Sequence, residues 1–312
     1  MNMFSDLQAL TDFLSTGLRL SIPLVFAALG GTLSERAGVF NVALEGCLLA
    51  GAFGAALGSF VFISPYAGLL TGIGMALLVG GLLAILAVRL GVNQLVAGLA
   101  LNILVLGLTS YLSRLLLTGD GRRIVEGFAP YPVPFLADIP LLGPLLFKQD
   151  VMTYLMYATV ALSWWMLWKT PWGLVLRAVG ENPRAVDTAG MAVDRARIIA
   201  VLAGCAVAGL GGCYLVLSQV FLFTEHMSAG KGFLALAAVI LGRWNPLGAL
   251  AACLLFGLCD ALQLRLQFGQ PDVPYQLFSI VPFVASFLAL VLFSGKVKPP
   301  ASIGIRYERG GK

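Results

Sequence analysis

The chain has 312 residues, of which 59% are hydrophobic and only 11% charged, with a formal net charge of +5 and a mean hydropathy of +0.92. Soluble domains carry about 25% charged residues, and the charges here are not spread to cover a soluble surface: residues 46–88, 90–113, 151–168, 198–224 and 273–295 hold none. Most of these runs reach the ~18–20 apolar residues of a transmembrane helix, their continuous apolarity excludes a membrane β-barrel, and the basic balance reads as loops beside a membrane, not as nucleic-acid binding.

The fold class is therefore all-α and polytopic. Nine spans are predicted, near 18–33, 38–60, 66–88, 94–117, 151–168, 198–219, 229–242, 247–268 and 275–293. Met1–Gly17 carries Asp6 and Asp12 and no basic start, so no cleavable signal is expected. Met3–Phe13 is expected on the outer membrane surface, ahead of the first span.

The first informative stretch is Ser34–Gly46, SERAGVFNVALEG. Glu45 lies inside an apolar run, where an ionised carboxylate must face protein or water. Asn41 is expected one helical turn before it, on the same face. Two readings stay open: a polar patch in a permeation path, or a pair that holds the loose backbone amides of a broken segment.

Asn93 and Gln94 open the fourth span, either as caps or as polar groups facing a solute. Asn102 lies about a third of the way in and needs a partner. That partner is a neighbouring helix or a polar solute. Residues 118–149 hold three basic and three acidic side chains and several prolines, and are expected to be extracytoplasmic.

Residues 169–197 carry Lys169, Arg177, Arg184, Arg195 and Arg197, and the tail carries Lys296, Lys298, Arg306, Arg309 and Lys312. Both are expected in the cytoplasm. Within the first, Asn182 can N-cap a helix with Pro183 at its first position, and Gly190 can end it. Arg184 and Asp187 then share one exposed face. This is either a docking helix for a cytoplasmic partner or an ordered connector.

Two cytoplasmic segments demand an even number of crossings between them. The short segment Ala229–Gly242, with Lys231 and Arg243 near its ends, must then be a broken crossing. The first four and last four spans acquire opposite senses, an inverted repeat of 18–117 and 198–293. Ala37-Gly38 and Ala43-Leu44 align at constant offset with Ala229-Gly230 and Ala235-Leu236. Further on, Asp260 and Arg265 are five apart on different helix faces, so one is expected to meet another helix. His226 has no second ligand nearby, the cysteines lie in apolar runs, and no phosphate loop or catalytic constellation exists. Neither a metal, a cofactor nor an enzyme activity is expected.

The runs SERAGVFNVALEG, VNQLVAGLALN and RAVGENPRAVDTAGM resemble the permease subunits of bacterial ABC importers, in the nucleoside and simple-sugar branch of the branched-chain amino acid/ribose permease superfamily. The resemblance covers most of 18–293. It implies a single permease domain of the type II importer fold, in the inner or plasma membrane. It makes Gly180, Glu181, Asn182, Pro183, Arg184 and Ala185, with Asp187 and Gly190 beyond, a coupling helix against an ABC ATP-binding subunit. That subunit usually has two fused nucleotide-binding domains. A second permease and an extracytoplasmic solute-binding protein complete the expected partners, with membrane lipid around them. Many relatives have ten spans. The substrate path is expected at Asn41, Glu45, Asn93, Gln94 and Asn102. The competing class is a self-contained secondary transporter or channel, which needs no docking helix.

Overall fold

The computed structural model describes residues 3–117, 125–134, 137, 139, 143–269, 280–293 and 298–307. These residues form helices and the turns between them. Helix α1 runs Met3–Arg36, α2 Leu44–Phe62, α3 Pro65–Ala84, α4 Gln94–Leu116, α5 Val151–Lys169, α6 Pro171–Glu181, α7 Pro183–Thr188, α8 Val193–Tyr214, α9 Lys231–Leu241, α10 Pro246–Gly269 and α11 Val281–Phe293. Wider π-turns prolong α3 over Ile85–Arg89 and α8 over Leu215–Val220. Residues 118–124, the charges Lys296, Arg309 and Lys312, and the start of the last expected span at 275–279 lie outside the described residues.

The polytopic helical class holds. Among the described residues, seven helices are long and apolar enough to cross a bilayer. The segment at 229–242 supplies a helix of only 11 residues. Met3–Phe13 is not a separate surface element either, because it joins the first span in one helix of 34 residues, about 51 Å at 1.5 Å per residue. The second span begins at Leu44, not 38. Gly38 takes φ +83°, which ends α1 and turns the chain back, and residues 37–43 form a non-helical link. Asn41 therefore sits in that link and not one helical turn ahead of Glu45.

Capping fixes several helix starts. Asn93 Oδ1 accepts from Leu95 N at 3.0 Å, Thr170 Oγ1 from Gly173 N at 3.1 Å, and Asn182 Oδ1 from Ala185 N at 3.2 Å. Each satisfies an amide that the first helical turn leaves open. The loop expected to hold one helix thus holds two. Thr170–Pro171 carries the same start signal as Asn182–Pro183, and α7 ends before Gly190 at φ +82°.

The centre of the bundle is α2, a charge-poor helix rich in Gly and Ala and buried along most of its length. Small residues let helices approach closely where lipid offers no hydrophobic contrast. A Cβ on Gly30 would meet the Gly204 carbonyl at 2.2 Å, and one on Gly204 would meet the Gly30 carbonyl at 2.4 Å. With Pro23 beside Gly211, these contacts make α1 and α8 antiparallel. Gly72, Ala76 and Gly80 of α3 likewise meet Cys213, Gly209 and Cys205 of α8 in reversed order. Gly17 and Phe13 of α1 meet Gly257 and Arg265 of α10, again reversed. α2 packs on α3, α4 and α8, while α9 packs on α10, α11 and α1.

Three cores result. One lies among α1, α2, α5, α8, α9 and α10, and a second among α2, α3, α4 and α8. The third gathers Leu33, Leu167, Leu176, Val179, Val186 and Val193 at the end where α1 and α5 finish. It seats α6 and α7 on the bundle.

Candidate functional site

The amides of a helix's first turn have no partner within the helix, and each left open away from water is costly. The short helix α9 starts this way, opposite the start of α2. Glu45 resolves it. Its Oε1 accepts from Gly230 N at 2.8 Å and its Oε2 from Gly232 N at 2.6 Å. A negative group also suits the positive end of the helix dipole. Gly232 is required here, because a Cβ would lie 2.4 Å from Glu45 N. Both carboxylate oxygens hold amides, as the second of the two readings expects of Glu45, while Asn41 takes no part in it.

Asn102 does the same for α2. Its Oδ1 accepts from Gly46 N at 2.8 Å, and its Nδ2 donates to the Val42 carbonyl at 2.9 Å. Gln94 Oε1 accepts from Phe40 N at 2.6 Å. Asn41, fully buried, donates from Nδ2 to Ser34 Oγ at 3.2 Å and to Cys205 Sγ at 3.5 Å. Glu45, Asn102, Gln94 and Asn41 therefore converge on one segment, residues 40–46, from α2, α4 and the link itself. Asn93 does not join them: it is exposed and caps α4. Glu45 and Asn102 also line a cavity of about 300 Å³ with Leu99, His226, Ser228 and Phe233.

Beside that cavity, Lys231 Nζ stands 3.9 Å from Asp260 Oδ2. Asp260 is the residue that meets another helix through charge, while the Arg265 guanidinium lies 5.9 Å from the centre of the Phe13 ring. Glu225, next to His226, forms a two-point contact with Arg114 at 2.8 and 3.0 Å. That guanidinium holds the Glu225 carboxyl below the usual carboxylate range.

The other end of α9 is gripped by the end of α1, by residues the sequence did not single out. Trp244 Nε1 donates to Glu35 Oε2 at 2.5 Å, and Glu35 is fully buried. Arg36 donates from Nε to the Trp244 carbonyl at 2.7 Å and from Nη2 to the Arg243 carbonyl at 3.2 Å. Arg243 and Trp244 take φ +56° and +53°, so the helix end is locked in a strained turn. Arg36 and Arg177 both stack near the Trp168 ring, at 5.5 and 4.4 Å. The signal available was a Glu-Arg pair closing one span and an Arg-Trp pair closing another.

Next to Arg36 stand α6 and α7. Gly180 is buried, and a Cβ there would lie 2.1 Å from the Arg36 carbonyl. Glu181, Asn182, Arg184, Ala185 and Gly190 are exposed, Pro183 and Asp187 are half-buried, and Val186 points into the third core. The C-terminal segment lies across them. Ser302 donates from N and Oγ to the Gly180 carbonyl at 2.8 and 2.6 Å. Tyr307 Oη donates to Asp187 Oδ2 at 2.9 Å, and Gly304 N donates to the Gly38 carbonyl at 3.2 Å. A continuous set of contacts thus runs from α7 through Gly180, Arg36 and residues 37–43 to Glu45, α9 and the cavity.

A family model described as the branched-chain amino acid transport system / permease component matches residues 13–291. The chain is 35% identical over 313 residues to the guanosine ABC transporter permease protein NupQ of Bacillus subtilis, covering 97% of this chain and 98% of that one. It is 34% identical over 317 residues to the nucleoside ABC transporter permease protein NupC of Lactococcus lactis, covering 98% and 99%. It is 34% identical over 258 residues to the putative glucose ABC transporter permease protein TsgC13 of Haloferax volcanii, covering 81% and 77%.

Proposed function

The chain belongs to the family of branched-chain amino acid transport system permease components, and on that premise we propose that it is one of two permease subunits of an ATP-driven importer for nucleosides. Relatives that match it over nearly the whole of both chains carry guanosine and nucleoside in their names, which supports that solute class over sugars. The partners on this reading are an ATP-binding subunit with two fused nucleotide-binding domains, a second permease and an extracytoplasmic solute-binding protein.

The proposed coupling element is α7. Its exposed Arg184 and Ala185 face the ATP-binding subunit, whereas Gly180 transmits from behind, pressed on Arg36. Closure of the partner pushes α6 and α7 as one body against the end of α1. The link 37–43 then moves Glu45, and with it the start of α9 at the cavity. This route is carried by one observation: α9 is held at its start by Glu45 and at its end by Glu35 and Arg36, all on the segment that α6 touches.

The proposal includes an inverted repeat, α1–α4 against α8–α11, with the C-terminus in the cytoplasm. The paired packing of α3 on α8 and α10 on α1, and of α2 on α4 and α9 on α11, supports it. So does the contact of residues 301–307 with α6 and α7; with both basic segments at one end, the proposal counts α9 as a crossing. The nine-crossing reading stands on that argument. A self-contained ion-coupled carrier is disfavoured, because Glu45 is engaged by two backbone amides and Asp260 faces Lys231 at 3.9 Å.

Reconstitution tests the reading. Guanosine accumulation in proteoliposomes is expected only when this chain is co-assembled with its ATP-binding subunit and supplied with ATP. Guanosine flux through the chain alone, independent of ATP, would support the carrier class instead.

A further inference from the structure

Between Glu45 and Arg114 the chain holds one charged side chain, Arg89. It closes the π-turn Ile85–Arg89, where Leu90 N donates to the Ile85 carbonyl at 2.9 Å. Arg89 is exposed and makes no hydrogen bond or ion pair among the described residues. Arg306, also exposed, stands near it: a Cβ on Gly91 would lie 2.3 Å from Arg306 Nε. Residues 301–307 lie on α6 and α7, so both guanidinium groups are at the α7 end of the bundle.

Next to Arg89, an apolar groove of about 480 Å³ lies between α3 and α4, with Ala50 and Phe53 of α2 behind it. Leu78, Leu82 and Ile85 of α3 and Leu104 and Leu108 of α4 line it, and all five are exposed. Leu78, Leu82, Ile85 and Arg89 follow one another at three- and four-residue steps, so they form one stripe along α3. The one hydrogen-bonding side chain on the wall is Thr109, whose hydroxyl is spent on the Val105 carbonyl of its own helix at 2.7 Å. Water held in a cavity needs several polar partners, and this wall supplies none. Leu78 precedes Arg89 by 11 residues, about 16 Å along the axis. That is the depth of one leaflet in a hydrocarbon core ~30 Å thick.

We propose that this groove holds one acyl chain of an anionic phospholipid, whose phosphate lies against Arg89 at the α7 end. The depth suits a chain that enters from the headgroup level, and the charge suits an anion, because basic side chains at a membrane surface attract anionic lipid. A helix of a second permease is a poorer occupant. With its side chains it is about 10–12 Å across and would need about 1,300 Å³ over the same length, well above the volume of the groove. α4 separates the groove from the Glu45 cavity: Leu104, Val105 and Leu108 face the first, and Leu99, Asn102 and Ile103 face the second. Asn102 also holds the start of α2. A lipid chain in the groove therefore braces the helix that carries this contact. The site is independent of the solute proposed above.

Photolabelling of the whole complex in nanodiscs tests this. The probes are phosphatidylglycerol with a diazirine midway along one acyl chain, and phosphatidylcholine with the same chain. Phosphatidylglycerol is expected to label the groove residues of α3 and α4 about fivefold more than phosphatidylcholine does, the share of one basic side chain at an anionic surface. Arg89→Gln is expected to remove that difference and leave phosphatidylcholine labelling as it was, whereas Arg89→Lys retains it. Leu82→Trp fills the groove from an exposed position. It is expected to suppress labelling of α4 by phosphatidylglycerol and to leave labelling at Leu162, exposed on α5, unchanged. Equal labelling of the groove by the two lipids would overturn the site, as would an Arg89→Gln complex that labels like wild type. A photoreactive residue at position 82 that crosslinks to the second permease and not to lipid would also overturn it, and would make the groove a subunit interface.

Discussion

Replacing Glu45 by Ala is expected to abolish uptake in the reconstituted complex, with a fall of about tenfold at least, while the ATP-binding subunit still associates. The change strips the acceptors from Gly230 N and Gly232 N together. Each amide then loses its carboxylate partner at the cavity wall, at a cost of about 1–3 kcal/mol, and α9 detaches from α2 there. Glu45→Gln keeps one oxygen acceptor and places an amide donor against the second N–H, so it is expected to retain part of the uptake. A Glu45→Ala complex that transports like wild type would remove α9 from the mechanism. ATPase association measured on the same preparation separates this outcome from a failure to assemble.

The second large effect is expected at α7. Arg184→Glu with Ala185→Glu reverses the charge of the exposed face without touching the third core, where only Val186 enters. Like charges brought together at an interface cost several kcal/mol, so ATPase association or uptake should fall about tenfold or more. Insertion should be normal, because neither side chain enters lipid. Glu181 and Asp187 are poorer choices. Glu181 accepts from Ala301 N and Asp187 from Tyr307, so altering them also loosens the C-terminal segment. Unchanged uptake and ATPase binding in the double variant would place the transmission surface elsewhere.

The reach of the sequence can be traced residue by residue. The charge-free runs 46–88, 90–113, 151–168 and 198–224 located α2, α3, α4, α5 and α8, because a bilayer imposes a length on any segment that crosses it. Asn182–Pro183 and Gly190 located α7, because caps are local chemistry. The same logic applied to Thr170–Pro171 finds α6. The start of α2 was not legible. Residues 38–43 are as apolar as a helix, and they stay unwound because Gln94 and Asn102, more than 50 residues away, bond Phe40 N, Val42 O and Gly46 N. Once that link is unwound, Asn41 leaves the face of Glu45 and meets Ser34 and Cys205 instead. The clasp of Glu35 and Arg36 on Trp244 spans more than 200 residues, and no periodicity encodes it. Glu45 was found for the right reason, a charge in an apolar run, but its task depended on where α9 begins.

The claim that unites these results is mechanical: closure at α7 reaches the cavity through residues 35–45 and moves the start of α9. The direct measurement is a pulsed electron paramagnetic resonance distance across the cavity, between labels at Leu99 on α4 and Phe233 on α9, both exposed on its wall. It is made in the reconstituted complex with and without ATP. The predicted result is a shift of about 2 Å or more on ATP binding, the scale of helix displacements in switching proteins. A single distance that ATP leaves unchanged, in a complex that imports guanosine, would contradict it.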